Sequence, residues 1–272
     1  MKLFHDRVLA LAVLMVAVTL ALALFAPWIA PYDPLAQSIA ARLKGPSAAH
    51  WLGTDQLGRD VLARILFGTR ATLVDCGLAV GFALGVGGAI GVAAAFLQGW
   101  FERLAMRIMD VIFAFPVMLL AIGIIAMLGP RATSSTIAIT IIYTPIFARL
   151  LRGPALVICE AEYVKAARAI GASPLAILVR HVVPNLASVI LVQTSLLLSS
   201  AILVEASLSF LGLGAQPPTP SLGLMLAEGR NFLMLSPWSA VFAGLAVLLL
   251  AFGLNLLGDA LRDRLDPRLA KA

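Results

Sequence analysis

Long apolar stretches separated by short polar breaks run through the whole chain. Six of them approach the length that crosses roughly 30 Å of hydrocarbon at 1.5 Å per residue: Val8–Ala30, Thr72–Leu97, Ile108–Leu128, Ser135–Leu150, Ala187–Val204 and Trp238–Leu257. Backbone polar groups have no water partner in lipid, so runs of this kind are predicted as helices and the fold class as all-α. The polar breaks are a long segment Pro31–Arg70, a short basic one Gln98–Arg107, and a turn at Gly129–Pro130. A second long polar segment, Leu151–Asn185, is followed by Ala206–Pro237, rich in Pro and Gly, and by a charged tail. This divides the chain into an N-terminal helix with its loop (1–71), a five-helix membrane core (72–260) and a tail (261–272). Met1–Arg7 followed by Val8–Ala26 has the flavour of a signal peptide. The apolar stretch runs on to Ala30, too long for a signal h-region, so a retained span is expected.

Within Thr72–Leu97, Gly77, Gly81 and Gly85 recur at every fourth position, as do Gly87 and Gly91, so each set lines one helix face. Glycine lets helix backbones approach in lipid, where no hydrophobic force draws them together. Packing within this bundle is the expectation for both faces, with a subunit interface as the alternative. In Pro31–Arg70, Thr54 or Asp55 is a candidate cap for an amphipathic helix with Leu57, Val61, Leu62, Ile65 and Leu66 on its apolar face.

Composition agrees with a membrane protein. Of 272 residues, 61% are hydrophobic and 12% charged, against about 25% charged in a soluble domain. The net charge of +6 does not point to nucleic acid, because the Lys and Arg fall between apolar runs. With six crossings, both termini share a side with thirteen of the twenty basic residues. These are Lys2, Arg7, Arg103, Arg107, Arg149, Arg152, Lys165, Arg168, Arg180, Arg262, Arg264, Arg268 and Lys271. The other seven are Arg42, Lys44, Arg59, Arg64, Arg70, Arg131 and Arg230. The positive-inside bias puts both termini, and Leu151–Asn185, in the cytoplasm.

Several chemistries are excluded. No glycine-rich loop ends in Gly-Lys-Ser/Thr, no His-Glu-x-x-His pair or Gly-x-Ser-x-Gly elbow occurs, and Cys76 and Cys159 have no metal or redox spacing. Asp75, Asp110, Glu205 and Asp259 fall at span ends, where water is expected to reach them, rather than at the midplane where ion-driven carriers place carboxylates. The chain is therefore read as no enzyme, and uphill movement of a solute would draw on a partner's energy. A channel, a carrier that binds sodium through its backbone, and a membrane scaffold stay open on the residues alone.

The most informative tract is Lys165-Ala166-Ala167-Arg168-Ala169-Ile170-Gly171, running on to His181, Val183, Pro184 and Asn185. Glu162–Ile170 is rich in helix formers and Gly171 is a natural left-handed stop. Ala166, Ala167 and Ala169 would leave a smooth ridge for a groove to clasp. The tract resembles the EAA loop of binding-protein-dependent ABC import permeases, with Ala166, Ala167, Gly171 and Pro184 in register. Lys165 stands where that pattern has Glu, His181 where it has Ile, and Val183 where it has Leu.

Four further tracts resemble the second permease of dipeptide and oligopeptide importers. They are Trp51–Arg64, Arg107–Asp110 with Phe115-Pro116, Ala148–Gly153 and Glu205–Gly214; Asn255–Pro267 extends the likeness to the tail. The resemblance implies a six-helix permease of the type I ABC importer fold in a bacterial inner membrane. It implies a coupling loop at about 151–187 that docks on the ATPase through Lys165, Ala166, Ala167, Gly171 and Pro184. The partners implied are a homologous second permease, one or two cytoplasmic ATPases that bind ATP and Mg in place of any cofactor in this chain, and an extracytoplasmic solute-binding protein. Dipeptides, longer peptides, opines, nickel chelates and glutathione-like compounds all fit as solutes.

Overall fold

The computed structural model describes residues 2–265, so Pro267, Arg268 and Lys271 of the tail lie outside the described residues. Every regular element among the described residues is helical, apart from one isolated bridge between Thr54 and Asp60. The α-helices, in chain order, are α1 (Lys2–Leu24), α2 (Ala26–Ile29), α3 (Val61–Leu97), α4 (Gly99–Phe113), α5 (Val117–Leu128) and α6 (Ala132–Cys159). Then come α7 (Glu162–Ala169), α8 (Pro174–Ile177), α9 (Ala187–Phe210), α10 (Leu222–Arg230) and α11 (Trp238–Leu265). Five stretches are long and apolar enough to cross a bilayer: α1, α3, α6, the stretch Pro174–Phe210 that holds α9, and α11. The bent pair α4–α5 makes a sixth when its two halves are counted together.

That sixth crossing departs from the expected straight helix over Ile108–Leu128. The chain bends by 90° between α4 and α5. Pro116 takes an extended ψ of 129° and caps α5, whose 12 residues reach only about 18 Å. The expected basic loop Gln98–Arg107 is likewise mostly helical, because α4 starts at Gly99 immediately after a sharp reversal at Gln98 (φ 50°) and Gly99 (φ 64°).

α3 and α6 run parallel and form the centre of the bundle. A Cβ on Gly87 would lie 2.2 Å from the Thr144 carbonyl oxygen, and one on Gly91 2.2 Å from that of Ala148. Only hydrogen fits at these two positions, and the close approach brings many atoms into dispersion contact. Thr140 donates to the Ala79 carbonyl at 3.2 Å further along the same seam. Gly77, Gly81 and Gly85 behave differently. They are exposed beside Val74, Leu78 and Phe82, and nothing comes within 4 Å of an added Cβ. One glycine face thus packs inside the chain and the other is open. α9 and α11 form an antiparallel pair tied by Ser199 Oγ donating to the Ala251 carbonyl at 2.6 Å, and α1 packs on α11 beside Gly253.

α3 begins at Val61, not in the Thr54–Asp55 region. Its cap is Asp60, which accepts from the Ala63 amide at 2.8 Å. Asp55 instead accepts from the amides of Leu57 and Arg59 in a tight turn and turns its other oxygen to Arg59 Nε at 2.6 Å. Arg64, fully buried on the first turn of α3, lies 3.3 Å from both Asp55 and Glu228 of α10, and Arg59 reaches the same Glu228 oxygen at 3.0 Å. Two acids and two arginines thereby clamp the long first loop, the start of α3 and α10 together.

Glu205 also departs from expectation, being buried rather than in reach of water. Ser209 donates to one of its oxygens at 2.7 Å and Thr72 to the other at 3.2 Å, so the carboxyl bridges α9 and α3. Cys76 and Cys159 are both buried and free.

The glycine seam makes a direct prediction. Gly91→Leu forces a side chain into the Ala148 backbone and should destabilise the purified chain by about 1–3 kcal/mol or more. Gly81→Leu should leave thermal unfolding in detergent unchanged or slightly raised, since leucine is the better helix former. Equal losses from the two variants would contradict the assignment of the seam.

Candidate functional site

α3 and α6 end at the same edge of the bundle, and the polar segment after α6 folds back over that edge. α6 continues past the expected end at Leu150 to Cys159, carrying Pro145 and Pro154 within it. Glu162 and Lys165 favour a helix start and Ala166–Ala169 its continuation, and α7 forms over Glu162–Ala169. It ends as its sequence requires. Gly171 has φ +81°, its amide donates to the Arg168 carbonyl at 3.0 Å, and the Ala172 amide reaches back to the Ala167 carbonyl at 3.0 Å. This paired 6→1 and 5→2 arrangement is a Schellman stop, and a left-handed residue at its centre favours glycine. Ser173 then caps α8 by accepting from the Ala176 amide at 3.3 Å.

Which face of α7 is buried follows from its apolar spacing. Val164 and Ala167 point inward onto Ala95, Ala155, Cys159, Ile177, Val182 and Leu186. The arginine of Arg168 lies over the Phe96 ring, 5.0 Å from its centre. The expected alanine ridge is therefore divided: Ala166 and Ala169 are exposed, while Ala167 is only 8% exposed and fixes α7 to the bundle. The outward surface is apolar for a loop, with Ile170 86% exposed, Leu175 71% and Tyr163 47%. Lys165 stands on this surface within 3.6 Å of Glu160 and 3.8 Å of Glu162, exposed pairs worth a few tenths of a kcal/mol. Pro184 is exposed and opens the single 3₁₀ turn Pro184–Leu186 that leads into α9, so it shapes the exit of the segment rather than the surface of α7. Lys165, Ala166 and Gly171 are thus exposed, Ala167 anchors the helix from behind, and Pro184 lies apart at the exit of the segment.

Residues 87–271 match the family described as binding-protein-dependent transport system inner membrane component, and residues 1–46 match the N-terminal TM domain of oligopeptide transport permease C. The chain belongs to this family of import permeases. Its relatives include the glutathione transport system permease protein GsiD of Pectobacterium atrosepticum, 44% identical over 269 residues, covering 98% of this chain and 89% of the relative. The protein of the same description from Escherichia coli O1:K1 / APEC is 46% identical over 263 residues, covering 95% and 86%. Among solved structures, inward-facing forms of the MetNI methionine ABC transporter superpose with TM-scores of 0.60 and 0.57 at 17% and 18% identity. They cover 72% of this chain and 93% and 95% of the other. The fold is that of a type I ABC importer permease, and the chain is a multi-pass membrane transport subunit rather than an enzyme. Permeases of this family work with ATPase and binding-protein partners.

Sequence spacing did not expose two polar assemblies of the permease. Arg59 and Arg64, paired with Asp55, meet Glu228 across more than 160 positions, and Thr72 meets Glu205 across 133. The only advance signal was the charge density of the Asp55–Arg64 tract, which a surface loop would also show.

Gly171→Val places a β-branched residue in the left-handed region and should cost about 1 kcal/mol or more. The expected outcome is normal membrane insertion with faster proteolysis of the α7–α8 segment, while Gly171→Asn, which tolerates this backbone better, should be milder. Equal protease resistance in all three proteins would show that the stop does not depend on glycine.

Proposed function

We propose that this permease imports a glutathione-like or small peptide solute and that α7, with the turn at Gly171, docks on a cytoplasmic ATPase. The solute class rests on relatives at 44–46% identity that are described as glutathione transport permeases. The dock rests above all on one observation: the α7–α8 segment, anchored through Val164, Ala167 and Ile177, holds Tyr163, Ile170 and Leu175 outward at the common end of α3 and α6. Large apolar side chains exposed together on a short folded-back segment are a surface waiting for protein. The bias of thirteen of twenty basic residues toward this side supports placing it, and both termini, in the cytoplasm.

A homologous second permease would complete the pathway, and the open face of Gly77, Gly81 and Gly85 supports an interface of that kind. ATP and Mg would be bound by the ATPases. Closure of the ATPases would push on α7, and α7 would pass the movement to α3 and α6 through the Ala95–Ala155–Val164 cluster. Lys165 at the family's glutamate position would meet an acidic rather than a basic groove edge.

Uptake of labelled glutathione in cells lacking this chain tests the proposal. Restoring the chain should restore uptake, and depleting ATP should abolish it. Uptake that persists without ATP would make the chain a channel or ion-driven carrier, and uptake unchanged by its deletion would leave it no transport role for that solute.

A further inference from the structure

α4 has an orientation unlike the other long apolar elements. α5 and α6 are joined by the turn at Gly129–Arg131 and pack side by side, with Ala121 and Ile125 in one cluster with Ala138, Ile139 and Ile142. They form an antiparallel hairpin along the direction in which α6 crosses the membrane. α4 is bent 90° from α5 and so lies across α6. Its depth is set by two contacts. Arg149 Nη2 donates to Asp110 at 2.6 Å, and Arg152 Nε donates to Glu102 at 2.6 Å. Those arginines lie about 26–30 Å along α6 from Ala132, which is the thickness of the hydrocarbon layer. A bilayer crossed by α6 would then have one boundary between hydrocarbon and headgroups at the level of α4.

Its residues are sorted for that place. Met109 is buried, and Glu102 and Phe113 also face α6, Phe113 under the Arg149 guanidinium at 4.2 Å. Trp100, Leu104, Ile108 and Val111 recur at helical spacing on another face and all are exposed, Trp100 by 69%. Between these faces Arg103 and Arg107, one turn apart, stand on the shoulder of the apolar stripe. Both acids of α4 are taken by Arg149 and Arg152, and among the described residues neither Arg103 nor Arg107 has a carboxylate partner. Arg103 only donates to the Gly99 carbonyl at 3.2 Å. A shallow cleft of about 580 Å³ follows this shoulder from Trp100 past Arg103, Leu104 and Arg107 to Asp110, whose charge Arg149 balances.

We propose that α4 is an interfacial helix whose apolar stripe lies in the acyl region, and that the cleft between Trp100, Arg103 and Arg107 holds the head group of an anionic phospholipid. Each element matches one part of that partner. The indole suits the interface, the stripe suits acyl chains, and two unpaired guanidiniums suit a phosphate. A basic side chain near an anionic surface favours the negatively charged lipid by about fivefold.

A photo-reactive benzoylphenylalanine at Leu104, in the full transporter reconstituted in vesicles of phosphatidylethanolamine with a minority of phosphatidylglycerol, reads both claims. Mass analysis of the adducts should show lipid, with phosphatidylglycerol enriched several-fold over its bulk fraction. In the R103Q/R107Q double variant the adduct ratio should fall to the bulk composition, while R103K/R107K should keep the enrichment and so exclude general misfolding as the cause. Adducts to another protein subunit would overturn the interfacial assignment. Lipid adducts at the bulk ratio in the unmodified protein would overturn the anionic site.

Discussion

The close approach of α3 and α6 is the contact on which the remaining architecture rests. In lipid the helices gain little from hiding apolar side chains, so they associate where backbones meet tightly. Gly87 and Gly91 permit that meeting against the carbonyls of Thr144 and Ala148, and the two helices run parallel along the seam. A parallel pair brings Leu97 and Cys159 to one edge and Val61 and Ala132 to the other. The chain joining them must return across the bundle, and α4–α5 is that return, broken at Pro116.

Each end of the seam is closed by a different kind of chemistry. At the start of α3, Asp55, Arg59, Arg64 and Glu228 form a buried ionic clamp, with each acid facing both arginines. Buried charges of this kind are costly to desolvate and tolerable only when mutually paired, which fixes the loop and α10 in one register. At the other end the contact is apolar. Ala95, Ala155 and Cys159 receive Val164 and Ala167, so α7 is attached to the helices it would have to move. A rigid seam with a helix bolted to its end can transmit displacement, because packed interiors deform little.

Much of this was legible in the residues because it follows from local rules. Apolar length marked the crossings, the Ala-rich run with Gly171 marked a helix and its left-handed stop, and the family pattern marked the loop. Other features required the third dimension. Both glycine sets have the same spacing, yet only Gly87 and Gly91 meet a neighbour, since spacing defines a face but not what stands opposite. Ala166 and Ala167 are equally small, and the adjacent Val164 and the cluster beneath decide which turns inward. Glu205 read as a span-end carboxylate because its partners, Thr72 and Ser209, are visible only once α3 lies beside α9. The apolar run Ile108–Leu128 concealed a right-angled bend, although Pro116 marked its site.

The outward surface of α7 and its stop is the part of the chain proposed to meet the ATPase. A photo-crosslinker placed at Ile170, the most exposed large apolar residue of that surface, tests it in the assembled transporter. Docking of α7 predicts adducts with the ATPase subunit whose yield changes between nucleotide-free and ATP-bound states. Adducts with lipid or with the extracytoplasmic binding protein, and none with the ATPase in either state, would contradict it.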